Sequence, residues 1–369
     1  MNALRNPAMP KVDLPIYLPN RETFFSEGGR RLFNTWRKGD LQPQEGDIEP
    51  FLKHCEYILP DKFERDVLLD WLAYNVQCPG KKILWAMLLQ GQAGTGKSYF
   101  GTLMRWLLGE NNVSCPTNDV IHEPYTAWQK SCQLVVIEEI MARGRLELMN
   151  KLKPIITQDI TIVREMFKPA YTQPNVFNLL MFTNHEDAII IDNQDRRYCV
   201  LFSPAVPIEH AYYADLWDWT KAHKGEILDF MLKRDLSAFQ PLAHAPMTEG
   251  KRTLIRESMP AIQAWIQESI ESESWPFMGD LVSTTHLMQC LPGNIKWVSP
   301  QAIGKALKAC GCQQIRQVKL KAGNSVRIWS VRRHEIWQGA ENETLAEDYE
   351  RWSMANEPGG NPMYEARPM

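Results

Sequence analysis

Apolar residues along this chain fall into two kinds of segment. Trp85 to Leu89, Leu134 to Ile137, Val176 to Thr183 and Cys199 to Phe202 are short, largely unbroken apolar runs. Runs of that length and continuity predict strands covered on both faces, as in a parallel sheet. Between and around them lie segments with helical spacing: Phe51 to Leu59, Lys62 to Val76, Tyr99 to Leu108, Arg143 to Lys153 and the aromatic-rich Ile208 to Phe239. In Lys62 to Val76, the residues Phe63, Val67, Leu68, Leu72 and Val76 share one helical face, which predicts a core or packing stripe. Strands alternating with helices predict an α/β fold. Thr161 to Phe167 and the stretch on to Thr172 alternate loosely and predict a β-hairpin, whereas Ile121 to Gln129 is ambiguous.

The ends of the chain read differently. Residues 1 to about 22 bear prolines without periodicity and predict an extended arm; Trp36 to Pro50 predict loop. Pro241 to Gly250 predicts a linker. Beyond it, Pro260 to Glu271 reads as a helix, Ser283 to Cys290 as a short helix capped by Ser283, and Ser299 to Cys310 as a third with Pro300 at its first position. Ile315 to Leu320 and Ser325 to Val331 are strand-like around Lys321 to Asn324. Helix, short helix, helix and hairpin predict a winged helix-turn-helix over 251–334. From Leu281 to His334 there are nine Lys or Arg and no Asp or Glu, a balance suited to phosphate contacts, although winged helices also serve as protein-interaction modules. Residues 335–369 hold eight acids against two basic residues and predict a disordered acidic tail.

Composition changes this picture little. Apolar content of 44% and charged content of 23% suit an ordinary globular protein. No apolar run reaches the ~18–20 residues of a membrane helix, and the N-terminus lacks the core of a signal peptide, so the expected compartment is the cytoplasm. Eight cysteines are scattered without a CxxC pair, which predicts reduced structural thiols rather than a zinc site.

The chemistry centres on Leu84 to Phe100, LWAMLLQGQAGTGKSYF. Gly91 to Ser98 spell GxxxxGK[ST], with a strand predicted before them and a helix after. In such a loop the backbone N–H groups of Gly91, Gln92, Ala93, Gly94, Thr95, Gly96, Lys97, Ser98 and Tyr99 can cradle a nucleoside triphosphate. Lys97 would reach the β- and γ-phosphates, and the Ser98 hydroxyl would bind Mg²⁺. Leu134 to Ile137 end in Glu138 and Glu139, the Walker B pattern, 41 residues after Lys97. Glu138 would hold the Mg²⁺ shell and Glu139 would polarise the attacking water. Asn184, at the tip of the next buried strand, could hydrogen-bond the γ-phosphate or that water. Arg196 and Arg197 follow twelve residues on and are candidates for an arginine supplied to a neighbour's nucleotide.

GQAGTGKS, LVVIEE, a basic hairpin region, and LLMFTN followed by DRRY stand here in one order. In that order they resemble the superfamily 3 helicases, a viral and plasmid branch of the AAA+ ATPases, and more narrowly the helicase portion of phage and plasmid primase-helicases. The resemblance covers about residues 30 to 240 and implies a P-loop AAA+ core (81–240) behind an N-terminal helical, collar-like segment (1–80). It further implies a homo-hexameric ring that hydrolyses ATP with Mg²⁺ at subunit interfaces and moves along single-stranded DNA, typically 3′ to 5′. The pore hairpin of that family corresponds to Lys153 to Asn175, with Lys168 and then Arg164 as DNA contacts. Only ~80 residues precede the P-loop strand, too few for a catalytic primase domain. A separate or host primase is therefore an expected partner. Two other readings fit the same motifs: an ATP-dependent initiator or loader that recruits another helicase, and a regulator with a vestigial ATPase.

Overall fold

Three strands that the apolar pattern does not announce come first. In the computed structural model, which describes residues 11–140, 145–185, 195–258, 260–293, 295 and 298–354, β1 (Leu14–Ile16), β2 (Phe24–Glu27) and β3 (Arg30–Asn34) form a small sheet in the order β1-β3-β2. This sheet takes the place of part of the expected arm, while residues 35–48 are loop, as expected, and helix begins at Glu49 rather than after Pro50. The sheet is short and mostly exposed, and hydrogen bonds rather than an apolar stripe hold it. The buried Asn34 amide donates to the carbonyls of Leu18 at 2.7 Å and Arg21 at 2.9 Å.

The chain then alternates. α1 (Glu49–Ile58) and α2 (Lys62–Gln77) lead to β4 (Ala86–Gly91), α3 (Tyr99–Leu108), β5 (Val113–Ser114), α4 (Asn118–His122) and β6 (Leu134–Ile137). Next come α5 (Arg145–Thr157), the antiparallel pair β7 (Ile160–Val163) and β8 (Tyr171–Pro174), then β9 (Asn178–Thr183), β10 (Tyr198–Ser203), α6 (His210–Ala222), α7 (Lys224–Lys233) and α8 (Glu249–Ser258). β10, β4, β9, β6 and β5, in that order, make a parallel five-stranded sheet. Its two faces are both buried, as the unbroken apolar runs require. Met87, Leu89, Val136, Phe182 and Leu201 face a core shared with α1, α2, α3 and α7. Their neighbours Leu88, Val135, Ile137, Met181 and Val200 face a second core with α5 and α8.

Several expected boundaries move. α1 and α2 are built into the core of the sheet, with Phe51, Ile58, Leu68, Trp71 and Leu72 fully buried, so they are no separate collar. Phe63, placed in the apolar stripe by spacing, is exposed, while Leu69 and Trp71 are buried in its stead. The long helix expected over 208–239 is two helices that break at His223, whose ring stacks on Trp219. α8 begins inside the expected linker and packs on the sheet through Leu254 and Ile255, so the first compact unit runs to Ser258 rather than ending near 250. Arg143 and Gly144, expected to open α5, lie outside the described residues.

The second unit, 259–369, is a mixed helix and sheet layer of its own. α9 (Ala261–Glu271), β11 (Leu281–Ser283), α10 (Thr284–Gln289), α11 (Pro300–Ala309), β12 (Gln313–Lys319) and β13 (Ser325–Ser330) precede α12 (His334–Gly339) and α13 (Asn342–Met354). The sheet is antiparallel in the order β11-β13-β12. Ser283 accepts from the His286 N–H at 3.1 Å and Ser299 from the Ala302 N–H at 3.3 Å, both N-caps. Val282 and Trp329 face the first three helices, whereas Val318 and Ile328 face Trp337, Leu345 and Tyr349. Residues 335–354 are therefore ordered helices, not a tail. Their acidic composition hid an apolar face of Leu345, Ala346 and Tyr349 at helical spacing. Residues 355–369 lie outside the described residues. No helix among the described residues is long and apolar enough to cross a membrane.

Candidate functional site

Parallel strands deliver their carboxyl ends to one edge of the sheet, and loops there are the usual place for a ligand. β4, β6 and β9 lie side by side, so the segments leaving them converge. They line a cleft of about 600 Å³ that includes Gly94, Gly96, Lys97, Ser98, Glu138, Glu139 and Asn184. Thr117, Asn118 and Asp119, at the start of α4, form a wall that the sequence had left unassigned.

The glycine-rich loop curls because of residues that accept unusual backbone angles. Gly96 sits at φ +88°, and a Cβ there would lie 2.9 Å from the His54 ring. No other residue type fits both constraints. The Lys97 ammonium lies back across the loop, donating to the carbonyls of Gly91 at 2.8 Å and Gln92 at 2.5 Å, and to Asn184 Oδ1 at 2.9 Å. Burial lowers its pKa from the usual lysine value to about 8, against the opposing pull of Glu138. The Ser98 hydroxyl donates to Glu138 Oε2 at 2.6 Å. Burial pushes the Glu138 carboxyl above its ordinary value, the Ser98 hydrogen bond opposes that rise, and Glu139 adds to it. α3 comes this close to β6 because it carries Gly101, where a Cβ would lie 2.8 Å from Val136 Cγ1. Glu139 is exposed and held at φ +53°, a strained conformation for a residue with a side chain.

Beneath the loop is a feature the sequence reading missed. His54 of α1 is fully buried, with Nδ1 3.0 Å from Tyr212 Oη and Nε2 3.3 Å from the Gly96 carbonyl. Burial lowers its pKa to about 4, so it is neutral at pH 7 and braces the loop as an uncharged partner. Its signal in the sequence was a histidine on the same helical face as Phe51, Cys55 and Ile58, which by pattern alone reads as core.

Ser98 Oγ and Glu138 Oε2 are two oxygens converging beside the glycine-rich loop. Oxygen donors suit a hard cation, and Mg²⁺ is commonly held by one or two protein oxygens with phosphates and water supplying the rest. No cluster of three or more His, Cys, Asp or Glu able to hold a metal by itself occurs among the described residues.

The remaining candidates lie elsewhere. Arg196 and Arg197 precede β10, whose Tyr198 pairs with Ala86 at the start of β4 and whose Ser203 pairs with Gly91 at its end. The arginines are thus at the opposite end of the sheet from the loop, a strand length of about 17–20 Å away. Arg197 is half-buried: its N–H donates to Asp195 Oδ1 at 2.7 Å, and its guanidinium lies 3.8 Å from the same carboxylate. Arg196 is exposed.

The hairpin β7–β8 is present as expected and also rises from that opposite end, beside the start of β9. Lys168 is not free there: it pairs with Glu165 at 2.8 Å, and Glu165 also accepts from Lys130 at 3.1 Å and from the Tyr171 hydroxyl at 3.2 Å. These partners, Lys168 first, hold the Glu165 carboxyl down at about 2. Arg164 is exposed at the tip.

In the second unit, part of the basic balance is used internally. Lys321 pairs with Glu347 at 3.3 Å, Arg333 with Asp280 at 2.5 Å, and Arg316 reaches Asn342 and the Ala340 carbonyl.

Comparison with known proteins places this architecture. A family of unknown function, DUF5906, matches residues 89–197, the span from β4 to Arg197. The DNA primase-polymerase of Nitratiruptor phage NrS-1 is 21% identical over 234 residues, 61% of this chain but 31% of that protein. The chain thus matches less than a third of the length of this curated relative.

The fold is shared with the C-terminal region of the NrS-1 protein. Its apo structure (305–718) superposes with a TM-score of 0.68 at 16% identity, covering 85% of this chain and 83% of that one. A second apo form of the region gives 0.67 at 15% identity, covering 85% and 84%.

Proposed function

We propose that this chain is an ATP-hydrolysing motor of phage DNA replication, a ring-forming DNA helicase of the superfamily 3 AAA+ type. The observation that carries the reading is the split between the two ends of the sheet. Lys97, Ser98, Glu138 and Asn184 converge at one end, while Arg196 and Arg197 stand a strand length away at the other. Such arginines can serve catalysis only on a neighbour's nucleotide, which is the geometry of a ring. The strand order, with the loop-bearing β4 between β10 and β9, supports the AAA+ assignment. Similarity to the phage NrS-1 primase-polymerase supports a role in phage DNA replication. The second unit, three helices on a three-stranded sheet, supports a winged helix. Its charge pairing with the added acidic helices favours a partner that approaches α11, where Lys305 and Lys308 are exposed.

The chemistry follows from the positions of the side chains. Lys97 leaves its resting carbonyl partners for the β- and γ-phosphates of ATP, and the loop N–H groups hold the remaining oxygens. Ser98 and Glu138 would hold Mg²⁺, which would supply charge neutralisation of the triphosphate. Asn184, now released by Lys97, turns its amide to the γ-phosphate. Glu139, exposed at the cleft, orients and deprotonates water. Arg196, exposed and unencumbered by Asp195, is the better of the two arginines for a neighbouring site. Such a residue is worth ~10³–10⁵ in rate in other NTPases.

The test is strand displacement by the purified protein alone on a forked duplex with ATP. Lys97→Ala should abolish both hydrolysis and unwinding. Arg196→Ala should lower hydrolysis about a thousandfold with nucleotide binding kept, and Arg197→Ala should do less. DNA-stimulated hydrolysis without any strand displacement would favour the loader reading, and unwinding by Lys97→Ala would overturn the assignment of the loop.

A further inference from the structure

The tip of the β7–β8 hairpin carries a residue for which the fold has no use. Phe167 is 100% exposed; the next large apolar side chain among the described residues, Leu242, is 69% exposed. Its neighbour Met166 is 57% exposed. Phe167 also sits at φ +59°. The Lys168 N–H donates to the Glu165 carbonyl at 3.3 Å, so Phe167 is the third residue of a tight turn. When the third position of a turn has positive φ, glycine or asparagine is the usual occupant. A bulky side chain there is a genuine backbone outlier. It stabilises nothing in the folded chain, because nothing packs against it.

The exposure does not come from a slack loop. Thr126 ties the tip by three bonds: its N–H donates to the Arg164 carbonyl at 3.0 Å, its hydroxyl donates to the Ile162 carbonyl at 2.7 Å, and it accepts from the Arg164 N–H at 2.9 Å. Gln173 Nε2 donates to the Gln129 carbonyl at 2.8 Å lower down. Glu165 gathers Lys168, Lys130 and Tyr171 on one carboxylate. An aromatic ring is therefore held out on a braced support. The turn itself carries Arg164 and Lys168 beside Glu165, and Lys130 pairs with that same Glu165 carboxylate.

We infer that Phe167 is a base-stacking contact for single-stranded DNA, presented by the braced hairpin while Arg164 and the Lys130–Lys168 cluster attract the phosphate backbone. The inference rests on the DNA-motor reading and adds a residue that charge alone does not reveal. Stacking on an aromatic ring tolerates any base, so the contact grips without sequence preference. Glu165 is the positioning residue: it fixes the turn and draws Lys168 to the side of the ring.

The experiment uses the full chain and an oligo-dT strand bearing 5-iodouracil, which crosslinks under light to aromatic rings stacked on it. The expected crosslinked peptide contains Phe167. Phe167→Ala should lose that crosslink and weaken oligo-dT binding about 5- to 100-fold, while Phe167→Tyr should restore both. Replacing bases by abasic sites should weaken binding to the wild type and leave the binding of Phe167→Ala little changed, a readout a merely structural role would not move. Thermal melting of each variant confirms that it folds. A crosslink elsewhere, or equal affinity for Phe167→Ala, overturns the inference. So does a fall in particle mass by light scattering for Phe167→Ala, which would make the tip a contact between copies of the chain. A Phe167 crosslink without any strand displacement would leave this contact standing and remove the motor reading. Unwinding without the crosslink would do the reverse.

Discussion

The glycine-rich loop and the hairpin tip are both tight turns that need left-handed backbone, and they meet the need in opposite ways. At the loop, Gly96 occupies φ +88° with no side chain, and a Cβ there would lie 2.9 Å from the His54 ring; under the proposed function its backbone N–H donors hold phosphate. At the hairpin, Phe167 occupies φ +59° and exposes a ring. One turn takes the left-handed conformation by omitting the side chain, and the other bears the strain of keeping one. The supports differ accordingly. The loop rests on the buried, neutral His54 and the Tyr212 hydroxyl, whereas the hairpin is braced by exposed hydrogen bonds and ion pairs around Thr126 and Glu165. Exposed pairs of this sort are individually weak, so the bracing depends on several acting together.

The strongest way to break this comparison is to put a side chain where the backbone must be bare. Gly96→Ala places a Cβ against the His54 ring at a positive φ, and should reduce nucleotide affinity on the order of 100-fold, the loss of one or two charge-assisted hydrogen bonds. Calorimetric titration with an ATP analogue measures it; an unchanged affinity would mean that the loop does not bind through its amides.

A smaller effect comes from pH. Lys97 loses its proton as pH rises through about 8, and only the cation attracts phosphate. Nucleotide affinity should therefore be level from about pH 6.5 to 7.5 and weaken above 8, by up to about tenfold per pH unit. Lys97→Arg, which stays charged, should flatten the curve even if it binds less well. A flat wild-type profile between pH 7 and 9 would place the lysine outside the binding step. His54 acts in the opposite window. Its folded pKa lies below the unfolded one, so its neutral burial contributes stability that is present above about pH 6.5 and is lost as pH falls toward 4.

The smallest effect sharpens the contrast. Phe167→Gly relieves the left-handed strain at the cost of a more flexible unfolded chain, and should raise stability by about 0.5–1 kcal/mol. Denaturant unfolding measures it. A loss of stability instead would show that the ring packs on something and is part of the fold.

Much of the candidate site was legible in the chain. GQAGTGKS, the apolar run ending in Glu138 and Glu139, and the strand ending at Asn184 are each a local pattern, and buried parallel strands announce themselves by being apolar throughout. The hairpin was legible from a different local pattern, the loose alternation of apolar and polar residues. The acidic segment 335–354 was misread because eight acids over 335–369 outweigh an apolar face of only a few residues. The first sheet was missed because Asn34 and main-chain pairing, not periodicity, hold it.

By itself, then, the sequence determined which segments are strands and helices in the layered core and which residues are candidates for phosphate binding, since these depend on neighbours a few positions apart. Only the tertiary structure decided the rest. It brought Ser98 to Glu138 and Lys97 to Asn184, residues 40 and 87 positions apart, by setting β4, β6 and β9 side by side. It put Arg196 and Arg197 at the far end of the same sheet, although they are closer in sequence to Asn184 than Lys97 is. It tied Lys168 down and left Phe167 bare. The physical reason is that strand order and strand direction are properties of the whole sheet. Pattern along the chain reports what a segment is, and packing decides what it faces.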